Sequence, residues 1–266
     1  MSQISISLTG IYTPINDCEG VHLGPVDSKV VERLARRRFD QVPVIGENGR
    51  VHGIIGIDEL RRLCERGERL TIENMAIERT TIREELSFAQ LLEAFQKRKA
   101  ILVTSIGTDT TTRGLLTISD LNKPRLRTHI YPLLVEIESK LAEIISHHYD
   151  DPFEWLPHLA ENEQVQVVGN WQLAQKRSTD LNPVHYCTIT ALIRVVSAES
   201  VLWKLLGYAS RKDGEKELST LPALRNIVMH PVRMLIRDVN DLNRSTLFLQ
   251  NVTDTLNRLS RLPDDD

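Results

Sequence analysis

The sequence contains a copy of itself. Shifted by 61 residues, positions 31–60 fall on 92–121 without a gap, and eight of the thirty positions are identical: Glu32/Glu93, Arg37/Arg98, Val42/Val103, Ile45/Ile106, Gly46/Gly107, Gly53/Gly114, Ile57/Ile118 and Leu60/Leu121. At ordinary residue usage about two matches are expected by chance. A chain that repeats a segment of this size folds the two copies as the same supersecondary unit and stacks them to complete a core.

Each copy reads the same way. An amphipathic helix comes first, in "SKVVERLARRR" and "FAQLLEAFQKRK", with apolar residues at helical spacing and three basic residues at a helix C-terminus (Arg36–Arg38 and Lys97–Lys99), where the dipole favours them. A short apolar strand follows, "QVPVIG" and "ILVTSIG", then a polar turn and a second strand opening on glycine, "GIIGI" and "GLLTI". A further helix is expected to start at Asp58–Glu59 and at Ser119–Asp120, acidic or capping residues suited to a helix N-terminus.

This twofold order of helix, strand, turn, strand and helix, carried by "VPVIGENGRVHGIIGIDEL" and "ILVTSIGTDTTTRGLLTISDL", resembles a tandem pair of CBS domains over about residues 1–123 (copies at about 5–64 and 65–123). The resemblance implies two modules packed pseudo-symmetrically around clefts for an adenine nucleotide (ATP, ADP or AMP) acting as a regulatory ligand. It assigns the ribose to Thr117 and Asp120, and the edge of the base to the backbone of Ala100, Ile101 and Leu102. The chemistry suits those residues. A carboxylate accepts hydrogen bonds from ribose hydroxyls, and the N–H groups opening a helix favour phosphate. In the first copy Gly56 and Glu59 stand at the corresponding places. One good site is therefore expected, not two.

Composition narrows the class. Hydrophobic residues make up 41% of the chain and charged residues 26%, with a net charge of -3, as in soluble globular proteins. Nucleic-acid binding would need a local basic patch. Cys18, Cys64 and Cys187 lie far apart, so neither a zinc site nor a disulfide framework is expected, and no metal is called for. The N-terminus lacks the features of a signal peptide and no apolar run is long enough for a membrane span. A cytoplasmic protein without membrane contact is expected.

After Asn122 the pattern turns helical, and residues 124–262 read as an all-α bundle, closed by a tail at 263–266 expected to be disordered. The fold class is α+β with two domains. A long helix is expected over "RTHIYPLLVEIESKLAEIISHHY", interrupted near its start by Pro132, with Leu134, Ile137, Leu141, Ile144 and Ile145 as its buried stripe. A polar stretch at 149–180 is anchored by Trp155 and Trp171. Further helices are expected over about 184–207 and over "LPALRNIVMHPVRMLIRDVNDL", separated by a turn at "RKDGEKEL". A last helix is expected from near Ser245.

The string "LRNIVMHP", Leu224 to Pro231, carries an arginine, four residues and a histidine. In this helical context it resembles the signature of the HEPN superfamily, many of whose members are metal-independent ribonucleases acting as dimers, while others are non-catalytic. The resemblance implies catalytic roles for Arg225, Asn226 and His230. At about 100° per residue, Asn226 and His230 share a face that Arg233 and Arg237 would continue as RNA-binding residues, while Arg225 lies about 140° from His230. Histidine suits proton transfer near neutral pH and arginine suits phosphate. A single-stranded or looped RNA would fit.

Three functions are open at this point. In the first, a CBS pair regulates a HEPN-type ribonuclease, and a homodimer is expected. In the second, the CBS pair senses an adenine nucleotide and the helical domain recruits a protein partner without catalysis. In the third, the protein is a dimeric scaffold.

Overall fold

A computed structural model describes residues 5–47, 49–72, 81–105, 111–179, 181–230 and 232–261. The chain divides into two compact units. One holds Gln3–Leu126 with Ile236–Asn243, and the other holds Arg127–Leu235 with Arg244–Asp266.

The first unit is α+β. In chain order its elements are β1 (Ser5–Ser7), β2 (Thr13–Pro14), β3 (Val21–His22), β4 (Gly24–Pro25), α1 (Ser28–Arg36), β5 (Gln41–Ile45), β6 (Val51–Gly56), α2 (Ile57–Glu65), β7 (Arg69–Leu70), β8 (Thr81–Arg83), β9 (Glu85–Ser87), α3 (Phe88–Lys97), β10 (Ala100–Thr104) and β11 (Thr112–Thr117). The repeat is visible in the pairing. In the first copy β3 lies parallel to β5, and β5 antiparallel to β6. In the second, β8 lies parallel to β10, and β10 antiparallel to β11. A small antiparallel pair flanks each copy, β4 with β7 and β9 with β1. The second copy thus takes its outer strand, β1, from the segment that precedes the first copy.

Sequence alternation explains the core. In the first copy Val31, Leu34, Val42, Val44, Ile55, Leu60 and Leu63 form one buried cluster. Neighbouring Ile54 points to the other face of β6 and packs with Ala100, Leu102 and Leu115 of the second copy. The central strands are thus covered on both sides, which accounts for their unbroken apolar runs. Asp27 caps α1 by accepting from the Lys29 N–H at 2.8 Å, and Ser87 caps α3 by accepting from the Gln90 N–H at 3.3 Å, a recurrent way to satisfy the first helical donors.

The gapless alignment of the copies hides two compensating length changes. In the first hairpin Gln41 pairs with Gly56 and Val44 with Gly53. In the second, Ala100 pairs with Thr117 and Val103 with Gly114. The counterpart of Val103 is therefore Val44, not the identical Val42. Four residues separate α1 from β5 but two separate α3 from β10, and the turn between the two hairpin strands is two residues longer in the second copy. The first copy uses its extra residues to turn through Arg38, at φ 58°. A shift of two leaves every side chain on its original face, so the misplaced strand still matched in hydrophobicity. Ile106 and Gly107 lie outside the described residues.

The second unit is helical. It is built from α4 (Pro124–His148), α5 (Glu161–Gln175), α6 (Ile189–Ala198), α7 (Ser200–Leu205), α8 (Arg211–Leu218), α9 (Leu221–Met229) and most of α10 (Val239–Leu259). The expected stripe of α4, from Leu134 to Ile145, is buried, and Trp155 is fully enclosed. Trp171 meets Phe153 edge to face at 5.0 Å. Four expectations need correction. The polar stretch at 149–180 contains the fifteen-residue α5. "RKDGEKEL" is helix α8, capped by Ser210, which accepts from the Asp213 N–H at 3.2 Å. Its Gly214 lies under the Tyr208 ring, where an added Cβ would sit 3.1 Å from Cδ2. The helix expected over 184–207 is broken at Glu199, in extended conformation between α6 and α7, and its end at Gly207 has φ +73°. The run from Leu221 stops at Met229, and the last helix begins at Val239 instead of Ser245. The expected tail at 263–266 lies outside the described residues. Among the described residues no helix is long and apolar enough to cross a membrane.

Candidate functional site

Thr117 ends β11 and starts a 3-10 turn over Ile118–Asn122. The second copy thus has a tight turn where the sequence suggested a helix, and α4 follows directly. Asp120 is buried, with 7% of its surface exposed. Its Oδ2 accepts from the Thr117 backbone N–H at 2.7 Å and from the Thr117 hydroxyl at 2.9 Å. Its Oδ1 meets the Lys123 ammonium at 2.8 Å and accepts from the Thr13 hydroxyl at 3.3 Å. Lys123 also donates to Thr13 Oγ1 at 3.4 Å. The two residues assigned from sequence are therefore in contact, and Thr13 and Lys123 close a ring with the carboxylate.

Thr13 reaches this place because β2 pairs with β11, Leu115 against Thr13 and Gly114 against Pro14. Gly114 has to be glycine here, since an added Cβ would lie 2.2 Å from the Tyr12 ring and 2.4 Å from the Thr13 carbonyl. Cys18 sits beside the ring, its thiol donating to the Pro14 carbonyl at 3.3 Å. Burial pushes that thiol up to about 11, with the Asp120 and Asp17 charges adding to the effect. Ala100, Ile101 and Leu102 are almost wholly buried, and Ala100 pairs with Thr117.

Sequence reasoning missed Thr13 and Lys123. Lys123 was within reach, being three residues after Asp120 on a turn. Thr13 is 107 positions away and carries no local signal. In the first copy Gly56 pairs with Gln41 as Thr117 pairs with Ala100, but it offers no side chain, and Glu59 is turned to Arg62 at 3.0 Å. The basic residues Arg33 and Arg37 pair with Glu19.

The second candidate site is dispersed. Arg225 lies on α9 and its Nε meets Glu138 of α4 at 3.3 Å. Asn226 is exposed on the same helix. His230 sits just past the helix end with φ -104° and ψ 93°, and Arg233 lies in the turn beyond, its N–H donating to the His230 carbonyl at 2.9 Å. Arg237 is held by Asp241. The single polar helical face expected from Asn226 to Arg237 is not formed. A residue before proline is driven out of helical geometry, and buried Arg127 takes the carbonyls of Ile227, Val228, His230 and Arg233 that a continuing helix would need. Pro231 itself lies outside the described residues. Among the described residues no group of three or more His, Cys, Asp or Glu side chains could hold a metal ion.

The N-terminal unit is thus a duplicated hairpin-and-helix fold, its copies packed strand face to strand face and one carrying a threonine–aspartate turn. The family model for the CBS domain matches residues 28–66, and the N-terminal part of the chain carries this fold. Solved structures of similar fold include a hemolysin-like protein containing a CBS domain from Oenococcus oeni PSU, 12% identical, covering 44% of this chain and 87% of that one at a TM-score of 0.37. A CBS domain-containing protein from Bacillus anthracis str. Ames Ancestor is 20% identical over 44% of this chain and 89% of its own, TM-score 0.36. CbpB in complex with c-di-AMP is 20% identical over 49% and 91%, TM-score 0.38. No curated protein matched the chain.

Proposed function

We propose that the N-terminal unit is an adenine-nucleotide sensor with one working site, and that its output is carried by the helical C-terminal part. The observation that carries this reading is the ring of Thr13, Thr117, Asp120 and Lys123. A buried carboxylate that already accepts from two hydroxyls is chemically ready to accept from a ribose diol in their place. Lys123, released from Asp120 by the same exchange, supplies a cation for the phosphate. The 3-10 turn is short and its donors are partly used by Asp120, so the phosphate relies on the lysine more than on the turn. The first copy, with Gly56 and Glu59, stays empty.

A melting-temperature screen of the full chain against AMP, ADP and ATP tests this. A ligand that prefers the folded state raises stability by mass action, by about 2.7 kcal/mol at a hundredfold excess over its dissociation constant. The expected shift disappears in Asp120→Ala and persists in Glu59→Ala. No shift with any of the three nucleotides, or a shift that survives Asp120→Ala, refutes the placement.

Two outputs follow from this reading, and the geometry favours the simpler. With Arg225 paired to Glu138 and His230 off the helix, recruitment of a protein partner needs no rearrangement. Metal-independent RNA cleavage of the HEPN type needs Arg225 to leave Glu138. Cleavage of mixed single-stranded RNA without metal, lost in both His230→Ala and Arg225→Ala, would establish the ribonuclease. Equal behaviour of wild type and both variants excludes it.

A further inference from the structure

The 3-10 turn Ile118–Asn122 has two working faces. With about three residues per turn, positions three apart share a face. Asp120 and Lys123, the residue that follows the turn, therefore stand together and bridge at 2.8 Å, while Asn122 occupies a different face. Its side chain takes both backbone groups of Ile236. Nδ2 donates to the Ile236 carbonyl at 2.6 Å, and Oδ1 accepts from the Ile236 N–H at 3.0 Å. The same Nδ2 reaches the Ile118 carbonyl at 3.5 Å, so one amide joins the start of the turn to a distant segment. Ile236 is buried in irregular backbone, where its polar groups need partners that no helix or ladder supplies. Just beyond it, Asp238 Oδ1 accepts from the Asp241 N–H at 2.8 Å, and Asp241 Oδ2 accepts from the Arg237 N–H at 3.2 Å, a reciprocal cap that starts α10. Residues 236–243 cluster with the N-terminal unit, although the chain on either side of them belongs to the helical one.

We propose that residues 236–243, with the first turn of α10, form the element that nucleotide binding at Asp120 releases. The inference rests on the sensor reading above. On that reading a nucleotide changes two partners within the turn: the ribose replaces the threonine hydroxyls on Asp120, and the phosphate draws Lys123 away from the carboxylate. Asn122 lies between these two residues in the chain. Both of its bonds to Ile236 come from one planar amide, and hydrogen bonds weaken steeply once misaligned, so a shift of the turn opens the two together. A ligand moves such an equilibrium only by its preference for one state. Here the nucleotide prefers the open clasp. By reciprocity, opening the clasp beforehand tightens nucleotide binding by the same factor.

The test is amide hydrogen exchange of the full chain, with and without AMP, ADP and ATP, read beside nucleotide affinity. Bound nucleotide is expected to speed exchange at Ile236 at least about fivefold, the low end of ordinary coupling, and to leave the β10 amides no faster. Asn122→Ala is expected to bind nucleotide at least about fivefold more tightly. Asn122→Asp, which keeps the acceptor and loses the donor, does the same to a smaller degree. An asparagine that only braces the fold would weaken binding on removal or leave it unchanged. Asp120→Asn weakens the hold on Lys123 with no ligand present and is expected to speed Ile236 exchange in the ligand-free chain. Nucleotide binding that leaves exchange over 236–243 unchanged, or slows it, overturns the inference and spares the sensor. If none of the three nucleotides shifts the melting temperature, the sensor reading fails and release by nucleotide fails with it, whereas faster exchange in Asp120→Asn would still show that the turn governs the segment.

Discussion

Asn122 grips the backbone of Ile236 from both sides. Its Nδ2 donates to the Ile236 carbonyl at 2.6 Å, and the Ile236 N–H donates to its Oδ1 at 3.0 Å. Asn122 closes the turn that carries Asp120, so the segment between α9 and α10 is fastened to that turn at Ile236. Gln96 adds a bond to Asn243 at 3.2 Å, and residues 236–243 cluster with the N-terminal unit.

The first prediction concerns that clasp. Asn122→Ala removes both bonds and leaves a buried backbone pair without partners, a loss of about 1–3 kcal/mol. Amide hydrogen exchange at Ile236 is expected to rise well above that of the strand amides of β10. Unchanged exchange at Ile236 would mean that burial of its side chain, and not Asn122, holds the segment.

Gly114 gives the second. An added methyl group has no space between the Tyr12 ring and the Thr13 carbonyl, so Gly114→Ala forces β2 off β11 or kinks the strand. The expected loss is about 2–3 kcal/mol, in the range of overpacked sites, together with loss of the Thr13 contact to Asp120. Gly169→Ala is the control: with open space around it, that change raises stability by about 1 kcal/mol. Urea midpoints of the two variants should move in opposite directions.

Sequence reading reached the duplication, the strand–turn–strand hairpins and the adjacency of Thr117 and Asp120 at the end of β11, because each is written in local periodicity or capping chemistry. It failed where distant partners decide. The hairpin register was off by two residues because a shift of two preserves the alternation that alignment detects. The stretch expected as a turn at "RKDGEKEL" is helix α8, whose Gly214 is explained by the Tyr208 ring above it and whose Ser210 cap was legible. Helix α5 has no buried stripe and so sends no amphipathic signal. The end of α9 at Met229 depends on Arg127, a hundred residues earlier.

Arg127 carries the third prediction. It is 7% exposed, and burial lowers its pKa, yet it faces the carbonyl oxygens closing α9, donating to Val228 at 3.2 Å among others. A cation at a helix C-terminus is well placed, and the flat guanidinium reaches several acceptors that a lysine cannot serve together. Arg127→Met leaves those oxygens unsatisfied and is expected to cost about 3 kcal/mol. Arg127→Lys should recover less than half of it. Full rescue by lysine in thermal unfolding would show that charge alone matters.

The buried thiols make the last prediction, one of pH. Cys18 is pushed up to about 11 by burial, and Cys187 to about 12 by burial with Glu163 adding to it. Only the thiolate is alkylated, and an exposed cysteine with a pKa near 8.5 is about a quarter ionised at pH 8, against about 0.1% for one at 11. Iodoacetamide at pH 8 should therefore label Cys18 a few hundredfold, and Cys187 a few thousandfold, more slowly than a model thiol, on the order of the ratios of their thiolate fractions. The same shifts set the sign for stability. The folded chain keeps these protons after the unfolded chain has begun to lose them, so stability present below about pH 8.5 falls as pH rises toward the folded values. Tyr149, raised to about 12 chiefly by burial, adds to the decline only above the ordinary tyrosine range near 10. A double variant, Cys18→Ala with Cys187→Ala, should flatten the urea midpoint between pH 8.5 and 10 and leave the steeper fall above it. If the wild type labels as fast as a model thiol, the packing around Pro14 and Asp120 is looser than the hydrogen bonds of the site require.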